Sequence, residues 1–99
     1  MKLPEKTVID NLIDTMKNKG WPFPRQIINR LGQVVGCTWG ADADPNIFGV
    51  GLFDNGIIKI GRAKTLVHES SHLNDVELYL TEHFATPTPG AWQPKWRVG

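Results

Sequence analysis

A chain of 99 residues, 40% hydrophobic and 21% charged, has room for one globular domain and is too apolar to be disordered. A net charge of +1 argues against a surface built for nucleic acid or for anionic bilayers, and no segment approaches the ~20 apolar residues that span a membrane. The single cysteine, Cys37, rules out an intrachain disulfide. Residues 1–12 lack the apolar stretch of a signal peptide, so the expected setting is cytoplasmic, or that of an effector delivered without a cleaved signal.

The first predicted element is an amphipathic helix over residues 4–19. Val8, Ile9, Leu12, Ile13 and Met16 recur at helical spacing, Pro4 and Glu5 suit the first turn, and Gly20 suits a left-handed cap. Trp21-Pro22-Phe23-Pro24 is an extended connector. A short second helix is expected over residues 24–31, with Ile27, Ile28 and Leu31 inward and Gly32 ending it. Residues 33–39 read as a strand and residues 41–46 as a loop. Residues 47–53 and 57–60 flank Asp54-Asn55-Gly56, and Asn-Gly between apolar runs signals a hairpin because both residues accept positive φ.

The next helix is expected to begin near Arg62 or Ala63, to run through Leu73, and to reach Phe84 if unbroken. Leu66, Leu73, Leu80 and Phe84 then share one stripe with Val76 at its border, while His68, His72, Asp75 and Tyr79 share another. The tail, residues 86–99, is too proline-rich for a helix, and its Trp92 and Trp96 predict packing against the body. The fold class expected is α+β: N-terminal helices, a small sheet with a β-hairpin, and a helix carrying His68-Glu69-Ser70-Ser71-His72, all in one domain over residues 1–99.

That five-residue run is HExxH. On a helix, positions i and i+4 lie one turn apart on one face, where two imidazoles can meet one Zn²⁺ at ~2.0–2.1 Å each. Glu69, offset around the helix, would reach a metal-bound water and act as its general base. Two incidental histidines on a solvated face are the plain alternative.

The run of residues 55–60 followed by Thr65-Leu66-Val67-His68-Glu69-Ser70-Ser71-His72-Leu73 resembles the core of the zincin metallopeptidases. The layout is similar to compact ImmA/IrrE-type peptidases and minimal gluzincins, and TLVHESSHL is similar to the aspzincins. The likeness covers residues 47–73, and only the HExxH motif is specific. It implies a zinc-dependent peptidase with His68 and His72 as ligands, Glu69 as base, and a neighbouring strand that receives extended substrate. The third ligand departs from the family patterns. The metzincin pattern needs Gly at 75 and His at 78, where this chain has Asp75 and Leu78, and the aspzincin Gly-Thr-x-Asp element is missing.

Glu82 and His83 rank equally as third ligand, then Asp75, then Glu77. His83 lies eleven residues beyond His72, ~16 Å along a straight helix, so Glu82 or His83 requires a break near Asn74-Asp75. Tyr79, on the ligand face, could stabilise an oxyanion or simply pack. Cys37 reads as a buried filler more readily than as a nucleophile. Asp42 and Asp44 read as a turn rather than a cation site, and Trp92 and Trp96 as packing rather than a stacking surface.

The functional expectation is hydrolysis of a narrow protein or peptide target, bound by strand addition at the hairpin edge, as in a bacterial or phage effector or toxin domain. The alternative is a non-enzymatic phage or bacterial inhibitor or binding protein whose histidines hold a structural zinc or no metal.

Overall fold

In the computed structural model, which describes residues 5–40 and 47–87, the first element is the predicted helix, begun later than expected, so that Glu5 precedes it instead of filling its first turn. Helix α1 (Val8–Asn18) starts at Thr7, whose hydroxyl oxygen accepts from the Ile9 N–H while the Asp10 carboxylate accepts from the Thr7 N–H at 2.7 Å. This capping box satisfies amides that the first turn leaves open. The Thr7 hydroxyl also donates to the Val34 carbonyl, tying the helix start to the sheet. Gly20 has φ +93°, and the bonds Gly20 N–H to Lys17 O and Trp21 N–H to Met16 O close the other end as a Schellman motif. Pro4 lies outside the described residues.

The expected second helix is a strand instead. β1 (Arg25–Ile28) pairs antiparallel with β2 (Val34–Trp39), and Ile27, Ile28 and Leu31 are exposed, not inward. Two adjacent β-branched residues favour the pleated edge. The Asn29 side chain then holds the turn, accepting from the Leu31 and Gln33 amides at 2.9 and 3.0 Å.

β3 (Phe48–Leu52) and β4 (Ile58–Arg62) form the predicted hairpin. Its turn differs from the expected Asn-Gly geometry, because Gly56 has positive φ (+80°) and Asn55 does not. Gly56 N–H bonds Phe53 O and Phe53 N–H bonds Ile57 O, the pattern of a three-residue loop ending in a left-handed glycine. A tight turn at Ala63 and Lys64, with Ala63 at φ 54°, then returns the chain as a fifth strand, β5 (Thr65–Ser70). Helix α2 (Leu73–His83) follows.

The five strands lie in chain order, each antiparallel to the last. Both helices pack on one face. There Trp39, Phe48, Val50, Ile58 and Ile60 meet Ile9, Leu12, Ile13 and Met16 of α1 and Val76 and Leu80 of α2. Trp21 stands edge-on to Trp39 at 5.1 Å, and Phe84 stacks on Phe48 at 4.1 Å, fastening the end of α2 to the sheet. No helix among the described residues is long and apolar enough to cross a membrane.

Candidate functional site

The HExxH residues do not lie on a helix. Residues 65–70 run as β5, His72 is the extended N-cap of α2, and helical backbone begins only at Leu73. The cause is tertiary. The turn at Ala63 aligns Thr65-Leu66-Val67-His68 against β4, pairing Ile60 with His68 and Lys59 with Glu69. β-branched Thr65 and Val67 suit the ladder. Ser70 and Ser71 are weak helix formers, and the Ser70 hydroxyl accepts from the His72 N–H at 3.1 Å, shaping the entry to α2. The predicted break near Asn74-Asp75 is replaced by the start of a helix.

Strand alternation sends His68 and Glu69 to opposite faces of the sheet. His68 lies toward α2, where Nε2 is 3.0 Å from Asp75 Oδ2. The Asp75 carboxyl is held below its usual range, first by its hydrogen bond with His68 and then by one with Ser70. Being ionised it can only accept, so His68 Nε2 carries the proton. The His68 ring stacks on Tyr79 at 4.3 Å, and the other side of Tyr79 stacks on His83 at 4.2 Å. The Tyr79 hydroxyl donates to the Val67 carbonyl at 3.4 Å, a backbone partner rather than an open oxyanion position.

Of the expected stripe of His68, His72, Asp75 and Tyr79, the structure joins His68, Asp75 and Tyr79, and it does so through a strand, a turn and a helix in place of one helix. His72 is exposed and makes no side-chain cap. Glu69 is exposed on the opposite face, and Glu82 is exposed on α2. Among the described residues no three His, Cys, Asp or Glu side chains group as metal ligands. Cys37 is fully buried, and burial pushes its thiol up to about 12, which suits a packing residue rather than a nucleophile. Asp42, Asp44, Trp92 and Trp96 lie outside the described residues. The hairpin strands β3 and β4 are internal, so strand addition there has no free edge; the edges are β1 and β5.

The other face of the sheet carries a feature that the HExxH motif does not announce. Registered neighbours form two rows across it. One row is Ile27, Gly36, Gly51, Lys59 and Glu69; the other is Arg25, Thr38, Gly49, Gly61 and Leu66. Three of these glycines, Gly49, Gly51 and Gly61, line a trough of ≈ 530 Å³ bordered by Ile27, Phe53 and Leu66, which are 52%, 49% and 54% exposed. Lys59 lies over the Phe53 ring at 4.4 Å. The signal was present in Phe48-Gly49-Val50-Gly51-Leu52, where every second residue is apolar and the residues between have no side chain.

No protein-family model, curated protein or solved structure matches this chain.

Proposed function

We propose that this chain is a non-catalytic binding protein that presents the open face of its sheet to a partner, and that the HExxH residues serve the fold. The observation that carries this reading is the placement of His68. Its ring is packed on Tyr79 and its Nε2 bound to Asp75, so it joins β5 to α2 rather than offering a lone pair beside His72. Glu69, the would-be base, stands on the other side of the sheet from His68. The trough supports the reading from the opposite direction, since a concave face with exposed apolar side chains at its rim suits a partner's docking.

Metal content and folding stability test this together. With zinc in excess, the protein should bind none stoichiometrically. His68→Ala should lower the thermal midpoint equally with and without chelator, and Glu69→Gln should leave fold and midpoint unchanged. One zinc per chain, lost in both His68→Ala and His72→Ala, together with a peptidase activity abolished by Glu69→Gln, would restore the zinc-peptidase reading instead.

A further inference from the structure

We propose that the trough on the open sheet face docks an acidic, apolar-faced segment of a partner protein. This rests on the binding reading above and names the chemistry of what is bound. Charge gives the first argument. Among the described residues the trough is lined by the cations Arg25, Lys59 and Lys64 and by no carboxylate, and the one carboxylate registered on this face is Glu69, beside Lys59 at the outer strand, so cations outnumber it while the chain as a whole is nearly neutral. Cations around an apolar floor select an anionic partner and repel a basic one.

Shape gives the second. The exposed apolar residues sit on separate elements, Ile27 on β1, Leu66 on β5 and Phe53 in the hairpin loop, with a side-chain-free floor between them. From β1 to β5 is four strand spacings, ~19 Å, which accommodates a helix of ~10–12 Å diameter or an extended segment. A small ligand is ordinarily buried over most of its surface, and a trough this wide does not provide that. A second copy of the chain placed face to face would set this cation-rich face against another of the same sign.

The glycines of this face divide into two kinds. A Cβ at Gly36 would stand 2.9 Å from the Val50 carbonyl oxygen, and one at Gly49 2.7 Å from the Cys37 carbonyl oxygen, so the sheet itself requires these two. At Gly51 and Gly61 the nearest atoms would be 3.5 and 3.6 Å away, ordinary contact, and neither has positive φ. Packing does not demand glycine there, and glycine in a strand weakens it; close approach of another chain is a reason for it to stand there. These two positions can be filled without breaking the fold.

The test titrates the isotope-labelled full chain with two synthetic peptides that share one leucine pattern, one with Glu and the other with Lys at every polar position. The Glu peptide should shift the amides of Gly36, Gly49, Gly51 and Gly61. Its affinity should fall about tenfold in Lys59→Glu/Lys64→Glu and be lost in Gly51→Val/Gly61→Val, whose urea midpoint shows that it folds.

Equal binding of both peptides at these glycines overturns the acidic partner while leaving the open-face reading intact. Shifts confined to β5 and α2, or no shift with either peptide, overturn the inference, whereas the metal and peptidase measurements decide the reading separately. A dimer in sedimentation that Gly61→Val dissolves also overturns the inference, because it makes a second copy the occupant. Tighter binding of decanoate than of the Glu peptide at the same glycines makes the occupant a small amphiphile and overturns the proposal as well.

Discussion

The two faces of the same sheet are built from alternate residues of the same strands, yet they differ in almost every respect. Toward the helices, Cys37, Val50 and Ile60 form a registered row that is closed to solvent. One residue along, Thr38, Gly49 and Gly61 form a row with almost no side-chain volume. The pleat gives each strand two independent sequences, one written for packing and one for whatever lies outside. Fold information therefore concentrates on one face, and functional information is to be sought on the other.

The sharpest way to break that comparison is to truncate matched apolar residues on the two faces. Trp39 is fully buried, stacks on Phe48 at 5.6 Å, stands edge-on to Trp21 and donates its indole N–H to the Pro22 carbonyl at 2.9 Å. Trp39→Ala should cost about 3–5 kcal/mol in urea unfolding, enough to unfold much of a small domain. Leu66→Ala on the open face should cost less than about 0.5 kcal/mol. Comparable losses would mean that the open face is covered in solution and that the contrast drawn here is wrong.

Substitutions at the glycines sharpen the contrast within the open face itself. Gly49→Val drives a Cβ into backbone and should destabilise by about 1–3 kcal/mol. Gly61→Val meets nothing closer than ordinary contact and should be neutral or stabilising by up to about 1 kcal/mol. A Gly61→Val protein as damaged as Gly49→Val would assign Gly61 to the fold and withdraw it from the trough argument.

How much was legible from sequence divides along similar lines. α1 was readable because its signals are local: five apolar residues at helical spacing, a left-handed Gly20 and a polar start. The β3–β4 hairpin was readable from two apolar runs around Asn55-Gly56, although the loop uses positive φ at Gly56 alone. The HExxH segment was misread because its period suits a helix and its neighbours do not. Pairing with β4 is a non-local interaction that no window on residues 65–72 contains. The short second helix failed for the same reason, since Ile27 and Ile28 obey the sheet edge rather than helical period. Of the expected cluster of His68, His72, Asp75 and Tyr79, all but His72 meet, because a strand folding back onto the following helix brings those three together by another route.

The smallest expected effect concerns that cluster, at the border between the two faces. Asp75 is ionised below its usual range, chiefly through His68 and secondarily through Ser70. It also lies in the first turn of α2, where a negative charge is favoured. A carboxyl with a depressed folded-state pKa contributes stability that is fully present above its unfolded value of about 3.9 and is lost as pH falls through the lower folded value. Asp75 is solvent-exposed, so the contribution is small. The stability difference between wild type and Asp75→Asn should therefore shrink as pH falls below about 4. His68→Ala should remove most of that acid-range step, because the His68 hydrogen bond is its largest cause. Parallel acid profiles for wild type and Asp75→Asn would show that the pair does not couple to folding. A step lost in Asp75→Asn but kept in His68→Ala would move the cause to Ser70 and the helix terminus, leaving the stacking on Tyr79 as what holds His68 in place.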